Sequence, residues 1–271
     1  MTDFSPKWLA LRRPADERAR CRECSLGFLR ALPRDRSLLV DIACGSGANC
    51  TFLASLLVQP RDWLLVDNDA LLLSQALKEC VAISGVRRLD CRELDLAQEL
   101  DRLDLSEAAG VSAAALLDLV SGPWLERLVA KCAALRLPLL LALTHNGHVR
   151  LSPSDPNDES IRLAFNKHQR RNKGFGPALG PAAPNVASAL LREHGYHVTV
   201  SNSDWHLDAA NIADAALLTP LLQGWAAAAS ELARSDIIRQ RVAQWRNRRE
   251  LSVTAGALRA QVGHNDLLAL I

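Results

Sequence analysis

Residues 38–49 read Leu-Leu-Val-Asp-Ile-Ala-Cys-Gly-Ser-Gly-Ala-Asn, an apolar run that ends in two closely spaced glycines. The apolar run predicts a strand, and the residues that follow it, Asn49–Leu57, have a helical pattern. A Gly-x-Gly turn between a strand and a helix lets a ligand approach the backbone closely, because Gly45 and Gly47 have no Cβ atom. The turn also presents free backbone N–H groups at the start of the helix. This unit is therefore predicted to bind a ligand.

Two ligand classes are compatible with such a turn. The order Gly45-Ser-Gly47-Ala-Asn-Cys50 approximates the dinucleotide-binding fingerprint, but Cys50 stands where that fingerprint has its third glycine. Asp41 lies four residues before Gly45, and a carboxylate beside the turn would repel a pyrophosphate. The same carboxylate would attract an ammonium or sulfonium group, so the sequence favours a cationic ligand.

The rest of the chain alternates short apolar runs with helical patterns. Strands are predicted at Ser37–Ala43, Trp63–Asp67, Val86–Leu96, Val111–Leu116, Leu137–Leu143, Tyr196–Val200 and Asp266–Ile271. Helices are predicted before residue 36 and at Asn49–Leu57, Asp69–Ile83, Pro123–Leu135, Glu159–Arg171, Asn185–His194, Ala209–Leu232 and Ser235–Leu251. Residues 149–153 either extend the fifth strand or form a short hairpin. Strands joined by helices imply a mainly parallel sheet with helices on both faces.

The segment Asp41-Ile-Ala-Cys-Gly-Ser-Gly47 resembles the first motif of the class I S-adenosylmethionine-dependent methyltransferases, an acidic residue followed by x-Gly-x-Gly-x-Gly. Ala43 replaces the first glycine of that motif. The resemblance continues at Asp67, which ends the second predicted strand 20 residues after Gly47. It implies a three-layer, Rossmann-like α/β fold with a seven-stranded, mostly parallel sheet, an antiparallel last strand, N-terminal helices and a helical insertion.

The same resemblance implies S-adenosyl-L-methionine as the cofactor. The contact residues that it implies lie at the ends of the first four predicted strands: Asp41, Ala43, Cys44, Gly45, Gly47, Asp67, Asn68, Asp95, Leu96 and Ala114. The loop after the first strand would hold the amino-acid end, Asp67 the ribose hydroxyls, and Asp95 with Leu96 the adenine. Taken singly, Asp41 and Asp67 could equally be turn or cap residues. Their positions at the carboxyl ends of successive strands favour ligand binding.

The resemblance also suggests how the chain is divided. An N-terminal helical cover is expected at 1–36 and the methyltransferase domain at 37–271. Within the domain, the cofactor-binding half, the substrate-side elements with the helical insertion, and the last strand are expected at 37–144, 145–265 and 266–271. Trp8–Arg20 in the cover is a candidate lid over the cofactor.

Candidate acceptor-binding residues follow the fourth and fifth predicted strands. The polar helix at 159–171 places Asn166 and Arg170 on one face, and such a face would suit a carboxylate or a phosphate. The alternative interpretation is a solvated helix, although the Gly-Phe-Gly-Pro loop behind it suggests the wall of a site. Asp118 and His168 complete the predicted substrate set.

Methyl transfer from a sulfonium needs no enzyme nucleophile, so catalysis is expected to rest on positioning the acceptor in line with the methyl group and excluding water. His145, just past the fifth predicted strand, is the candidate general base, because the pKa of an unperturbed histidine lies near neutrality. A structural role is the alternative for this residue, and His148 and His168 are the other candidate bases.

Composition limits the partners. The 271-residue chain is 49% hydrophobic and has a net charge of +2, which gives little drive toward nucleic acid or membranes. The uncharged runs at 111–117 and 137–145 are shorter than the roughly 20 residues that span a bilayer. No secretory signal pattern is visible, so a cytoplasmic location is expected. The expected partner is a small-molecule methyl acceptor, and the sequence leaves the oligomeric state open.

Cysteines and histidines are segregated along the chain. All seven cysteines lie at or before Cys132, and all seven histidines lie at or after His145. The Cys21–Cys24 pair and the His-x-x-His pairs are therefore far apart, whereas structural zinc sites show paired local spacing. No metal is predicted.

Two other function classes remain open. An RNA methyltransferase would use the arginine cluster within Arg239–Arg249, although Ile238, Val242 and Trp245 form the apolar stripe of an amphipathic surface helix. A non-catalytic protein would keep the methyltransferase fold for interaction. The first class predicts salt-sensitive RNA binding, and the second predicts no affinity for the cofactor.

Overall fold

A central β-sheet carries helices on both faces. The computed structural model describes residues 5–271, so the first four residues of the predicted N-terminal cover lie outside the described range. The strands are β1 (Leu38–Ile42), β2 (Arg61–Asp67), β3 (Val86–Glu93), β4 (Ala108–Ala114), β5 (Leu139–Ser152), β6 (His197–Asn202), β7 (Trp205–Asp208) and β8 (Arg259–Leu270). The helices are α1 (Pro6–Ala19), α2 (Arg22–Ala31), α3 (Ala48–Ser55), α4 (Ala70–Cys80), α5 (Leu96–Glu99), α6 (Gly122–Ala134), α7 (Asp158–Gln169), α8 (Ala183–Glu193), α9 (Ile212–Glu231) and α10 (Asp236–Thr254).

Five strands run parallel in the order β3-β2-β1-β4-β5, and β8 lies antiparallel beside β5. β6 and β7 pair antiparallel with the second and the first half of β8. The predicted mostly parallel sheet with an antiparallel last strand is confirmed, but the described residues form eight strands instead of seven. The additional strand, β7, has only four residues, with Trp205 and Leu207 buried. A pattern this short does not stand out in a sequence.

The two longest strands differ most from the prediction. β5 continues through Val149–Ser152, so the extension is right and the hairpin is wrong. β8 begins at Arg259 instead of Asp266, which transfers residues 259–265 from the predicted insertion to the last strand. The sequence around Gly263 looks polar and turn-like, but His264 and Asp266 are buried inside the sheet. Buried polar residues in a strand interrupt the apolar pattern on which the prediction depended.

Successive residues of the central strands face opposite layers, as the strand period requires. Val40 and Ile42 of β1 belong to a core cluster that includes residues of α6 and α8. Leu39 belongs to a second cluster on the other face, with Phe28 of α2 and Leu53 of α3. A third cluster lies beside the extended halves of β5 and β8 and includes residues of α7, α9 and α10.

The N-terminal cover consists of two helices that are separated at Arg20 and Cys21. Cys21 caps α2, because its Sγ accepts the N–H of Cys24 at 3.3 Å. The N–H of Cys21 donates to the carboxylate of Asp266 at 2.9 Å and ties the break to β8. α1 packs against β7 and α9, whereas α2 packs against β8 and β5.

Helix α9 is long and apolar enough to cross a membrane by length and composition. Its uncharged stretch, residues 215–230, is longer than the runs at 111–117 and 137–145. Leu218, Leu222 and Trp225 are buried, and the helix packs against α10, α7 and α1. This packing accounts for its apolar composition, as in the core helix of a globular protein.

Candidate active site

A cavity of about 900 Å³ lies over the carboxyl ends of β1, β2, β3 and β4. This edge of an open α/β sheet is where such folds bind ligands. α1 forms one wall with Pro6, Leu9 and Arg12, and the loop Lys173–Phe175 forms another. The predicted candidate lid and the glycine-containing loop after α7 therefore both border the cavity.

Most of the predicted cofactor-contact residues line this cavity. They are Ala43, Gly45, Asp67, Asn68, Asp95, Leu96 and Ala114. The other three do not line it: Asp41 lies in β1, and Cys44 and Gly47 lie in the loop after β1. The strand ends thus bring together residues that are separated by up to 71 positions in the sequence.

The loop after β1 has three residues in the left-handed backbone region: Ala43 (φ 50°), Gly45 (φ 53°) and Gly47 (φ 84°). Gly47 is the N-cap residue of α3. A Cβ atom on Gly47 would lie 2.6 Å from the Sγ of Cys80 and 3.0 Å from the Cβ of Ala76. The structure therefore gives Gly47 a packing role between α3 and α4, while Gly45 presents its backbone to the cavity.

Cys44, between these residues, is a buried thiol rather than a cavity residue. Its N–H donates to the carbonyl of Val66 in β2 at 3.1 Å, which fixes the loop against the next strand. Burial raises the pKa of Cys44, and the charges of Asp41 and Asp67 act in the same direction. A thiol held neutral in this way is not a nucleophile.

Asp67 ends β2 at the floor of the cavity. One carboxylate oxygen accepts the N–H of Gly45 at 2.8 Å, and the other accepts the N–H of Asp69 at 3.1 Å. Burial raises the pKa of Asp67, whereas these backbone N–H groups lower it. The two hydrogen bonds fix the orientation of the carboxylate, and each oxygen keeps a second lone pair for a ligand.

Asp95 and Leu96 were predicted at the end of the third strand, but β3 ends at Glu93. Asp95 is the N-cap residue of α5, and its carboxylate accepts the N–H of Ala97 at 2.9 Å. Both residues nevertheless line the cavity. Asp95 therefore both caps α5 and lines the cavity, because the start of α5 faces the cavity.

Asp41 is fully buried beneath the loop, in contrast to the predicted contact with a cationic ligand. One of its oxygens accepts hydrogen bonds from Asn49 and from Ser112, the latter at 2.7 Å. Its other oxygen has no partner among the described residues. Burial raises the pKa of Asp41 to about 6. The hydrogen bonds from Ser112 and Asn49 and the charge of Arg20 lower this pKa but do not offset the burial. The structure places Asp41 as a support of the loop.

Arg20 lies in the same buried cluster. One Nη donates to the side chain of Asn49 at 2.7 Å, and the Nε lies 3.6 Å from the carboxylate of Asp266. The other carboxylate oxygen of Asp266 accepts the N–H of Leu143 at 2.8 Å. Arg20 therefore bridges the first loop and the β5–β8 pair, because Asn49 also binds Asp41.

His145, the candidate general base, faces the protein interior. Its Nδ1 lies 3.2 Å from the carbonyl oxygen of Gly263, and its ring packs edge-on against Phe165 and His264. Burial lowers the pKa of His145 to about 4, against the hydrogen bonds of Gly263 and Asn166. His145 does not line the cavity. The structure therefore does not support a role in which this residue reaches the acceptor.

Two of the predicted substrate residues on α7 make contacts within the protein. Asn166 donates to the carbonyl of Gly147 at 2.9 Å, and the Nε2 of His168 lies 3.1 Å from the carboxylate of Glu231. Arg170 is the C-cap residue of α7. None of these three predicted substrate residues lines the cavity, so the structure does not support their assignment to the acceptor.

Asp118, the fourth predicted substrate residue, lies just behind the cavity wall. It is buried, and its backbone carbonyl accepts the N–H of Gly180 at 3.0 Å. Burial raises the pKa of Asp118 to about 6, opposed by nearby backbone N–H groups and by the charges of Arg12 and Lys173. Its neighbours Leu116 and Leu119 line the cavity.

Sequence reasoning missed the two cavity cations, Arg12 and Lys173. Arg12 donates to Asp16 through Nε at 2.8 Å and Nη2 at 3.1 Å, and its guanidinium lies over the ring of Trp205, 5.1 Å from the centroid. Lys173 belongs to the loop that suggested a site wall, but no motif singled it out. The only usable signal was a positive charge within a segment rich in glycine and proline.

The arginine cluster of α10 is largely neutralised. Arg248 and Arg249 pair with Asp155 and Asp158 at the start of α7. Arg239 and Arg246 pair with acidic residues of α10 itself. These contacts fix α10 against α7 and remove most of the charge that an RNA-binding surface would need.

No protein-family model matches the chain, and no curated protein matches it. Solved structures match its fold. The cyclopropane synthase MmaA2 from Mycobacterium tuberculosis is 12% identical with a TM-score of 0.52, over 99% of this chain and 95% of that chain. The YcgJ protein from Bacillus subtilis is 14% identical with a TM-score of 0.52, over 91% of this chain and 96% of that chain.

At these identities the similarity establishes the fold alone. The chain has the Rossmann-like methyltransferase fold, with the strand order and the antiparallel strand described above. The predicted fold class is confirmed, and the sequence resemblance is confirmed to that extent.

Proposed function

We propose that this protein is an S-adenosylmethionine-dependent methyltransferase that acts on a small-molecule acceptor in the cytoplasm. The observation that carries the proposal is the position of Asp67, a fixed carboxylate on the floor of a cavity of about 900 Å³. Cavities of about 300–1,000 Å³ are typical for small ligands. All seven cysteines are free thiols, which suits a reducing compartment.

The residues of the cavity fit the proposed cofactor. Each oxygen of Asp67 has a lone pair available for a ribose hydroxyl, which is a bidentate contact that a diol can make. Gly45 exposes its backbone beside Asp67, and Leu96 offers an apolar surface for a planar base. Asp67, Asp69 and Asp95 give this part of the cavity several carboxylate acceptors, which suits the hydroxyl and amino donors of a nucleoside.

When bound, S-adenosylmethionine supplies an electrophilic methyl group on its sulfonium. The chain then has to hold the acceptor in line with that group and exclude water. α1 and the loop Lys173–Phe175 cover the strand ends from two sides. Ala114 and Leu116, at the end of β4, lie where the cofactor portion meets the rest of the cavity. A general base is needed only for an acceptor that must lose a proton.

Calorimetric titration with S-adenosylhomocysteine tests the proposal. We expect the native protein to bind, and we expect Asp67→Asn to weaken the affinity at least about tenfold, because one hydrogen bond to a charged group is worth about 1.5–3 kcal/mol. The amide keeps an acceptor oxygen for the Gly45 N–H but turns an NH2 group toward the N–H of Asp69, so the free energy of unfolding of the variant is measured beside its affinity. Asp90→Asn is the matched control, since Asp90 lies on β3 and pairs with Arg88 at the surface.

Three results would contradict the proposal. Native protein that does not bind S-adenosylhomocysteine favours the non-catalytic alternative. Binding of NAD in its place favours the dinucleotide interpretation of the glycine turn. Equal affinities for Asp67→Asn and Asp90→Asn remove Asp67 from the site. A screen of methyl acceptors by release of S-adenosylhomocysteine then tests the enzymatic activity itself.

A further inference from the structure

The cavity is electrostatically divided. Its acidic residues, Asp67, Asp69 and Asp95, lie at the ends of β2 and β3. Its two cations, Arg12 and Lys173, come from α1 and from the loop after α7, and both lie close enough to Asp118, beyond β4, to lower its pKa. The cavity therefore has an acidic part at β2 and β3 and a cationic part toward the far side of β4.

Lys173 differs from the cations around it. Arg171 and His168 both pair with Glu231, whereas Lys173 forms no ion pair among residues 5–271. Burial lowers the pKa of Lys173, while the charges of Glu231 and Asp118 raise it. A partly desolvated ammonium without an ion pair is unfavourable until an anion compensates it.

Arg12 is held in place and still has a free donor. Its Nε and Nη2 are used by Asp16, and Trp205 supports the guanidinium from one side. Its remaining nitrogen, Nη1, makes no hydrogen bond among the described residues. Arg12 therefore brings a fixed guanidinium, paired with Asp16, to the α1 wall of the cavity that Lys173 borders from the loop after α7.

Apolar side chains surround this cationic part. Leu116, Leu119 and Phe175 line the cavity beside Lys173. Phe175 packs edge-on against Trp124 with 5.1 Å between ring centroids, which fixes the loop that carries Lys173. An apolar wall with a fixed charge at one point is complementary to an amphipathic ligand.

We infer that the methyl acceptor is a small amphipathic anion, whose carboxylate or phosphate binds Lys173 and whose apolar body packs on Leu116, Leu119 and Phe175. This inference rests on the proposed function. It replaces the predicted anion-binding face of α7, whose residues do not line the cavity. Lys173 thereby determines acceptor specificity and takes no part in the chemistry of transfer.

The test uses protein saturated with S-adenosylhomocysteine and pairs of probes that differ only in charge. The pairs are benzoate and benzamide, 2-naphthoate and 2-naphthamide, and octanoate and octanamide. We expect at least one acid to bind the native protein about tenfold more tightly than its amide, since a hydrogen bond to a charged group is worth about that factor. Lys173→Gln removes this preference, Lys173→Arg keeps it, and Lys167→Gln, an exposed substitution on α7, leaves it unchanged. Absence of any acid preference, or a preference that survives Lys173→Gln, overturns the inference.

A second arm asks whether Lys173 binds the cofactor instead. S-adenosylhomocysteine and 5′-methylthioadenosine share the nucleoside, but only the former has a carboxylate. We expect Lys173→Gln to leave both affinities unchanged. Weaker binding of S-adenosylhomocysteine alone would assign Lys173 to the cofactor and overturn the inference. Failure of the native protein to bind S-adenosylhomocysteine contradicts the proposed function itself, so the two failures are distinguishable.

Discussion

The two halves of the molecule use polar residues in different ways. In the half that contains β1, β2 and β3, polar residues at strand ends face the cavity, as Asp67 and Asp95 do. In the half that contains β5 and β8, polar residues are buried within the fold, as His145, His264 and Asp266 are. A polar residue near a strand end can therefore face the cavity in the first half, whereas in the second half it takes part in internal hydrogen bonding.

The difference follows from how each half is covered. The first half leaves its strand ends open between short loops, so that ligand and backbone meet there. In the second half β5 and β8 extend past the ends of β4 and β6, and this part forms one apolar cluster with residues of α1, α7, α9 and α10. Buried polar groups in such a region must find partners within the protein, and His145 finds Gly263 while Asp266 finds Cys21 and Leu143.

The largest expected effect is at the contact that joins the two halves. Arg20→Met leaves the buried carboxylates of Asp41 and Asp266 without their cation, and removal of one partner of a buried pair costs about 3–5 kcal/mol. We expect the free energy of unfolding, measured by urea denaturation, to fall by about that amount. Arg22→Met is the control, because Arg22 is exposed on α2. Equal stabilities of the two variants would show that the cluster does not hold the halves together.

The second prediction separates the two halves by pH. The pKa of Asp41 is about 6 in the folded protein, above its ordinary value, so between about pH 4 and 6 the folded state binds more protons than the unfolded state. The contribution of Asp41 to stability therefore falls as pH rises through this window. The pKa of His145 is about 4 when folded, below its ordinary value. The unfolded state binds more protons between about pH 4 and 6.5, so the contribution of His145 rises with pH.

Two variants measure these opposite slopes. Asp41→Asn removes the falling contribution, and His145→Gln removes the rising one. Each should change the slope of unfolding free energy against pH by at most about 1.4 kcal/mol per pH unit, with opposite signs. Urea denaturation at intervals from pH 4.5 to 7.5 gives the slopes. Changes of the same sign in both variants would contradict the contrast between a buried acid in one half and a buried base in the other.

The half with β1, β2 and β3 was predictable because its signals are local. The glycine turn, Asp67 and Asn68 each lie within a few residues of the strand that positions them, so that the sequence order is also the spatial order. Cys44 and Gly47 do not line the cavity, and Asp41 is the clearest exception. Its side chain turns under the loop toward Ser112 and Asn49, and side-chain direction at a strand end is not visible in the spacing of a motif.

The rest of the cavity wall was not predictable residue by residue, because it is assembled from distant segments. Arg12 and Lys173 are 161 positions apart in the chain, and only tertiary packing brings both to the cavity. Conversely, Asn166 and His168 looked available in the sequence but are used by Gly147 and Glu231. A helical pattern shows which residues share a face and does not show what that face contacts.

The smallest expected effect concerns two residues, one in each half, whose backbone lies in the left-handed region. Ala43, in the loop after β1, has a φ of 50°, and Leu143, in β5, has a φ of 52°. Leu143 is buried, so glycine there would relieve the backbone but remove a packed side chain.

Ala43 loses only a methyl group, and Ala43→Gly also restores the first glycine of the motif that the sequence resembles. We expect Ala43→Gly to raise the free energy of unfolding by up to about 1 kcal/mol, since non-glycine residues cost roughly 1–2 kcal/mol in this region, and to leave binding of S-adenosylhomocysteine undiminished. Ala113→Gly is the control. Ala113 is buried in the regular strand β4, so glycine there should lower the free energy of unfolding by about 1 kcal/mol. An equal fall in the free energy of unfolding of both variants would show that the loop after β1 stores no strain. Packing alone would then determine the conformation of this turn.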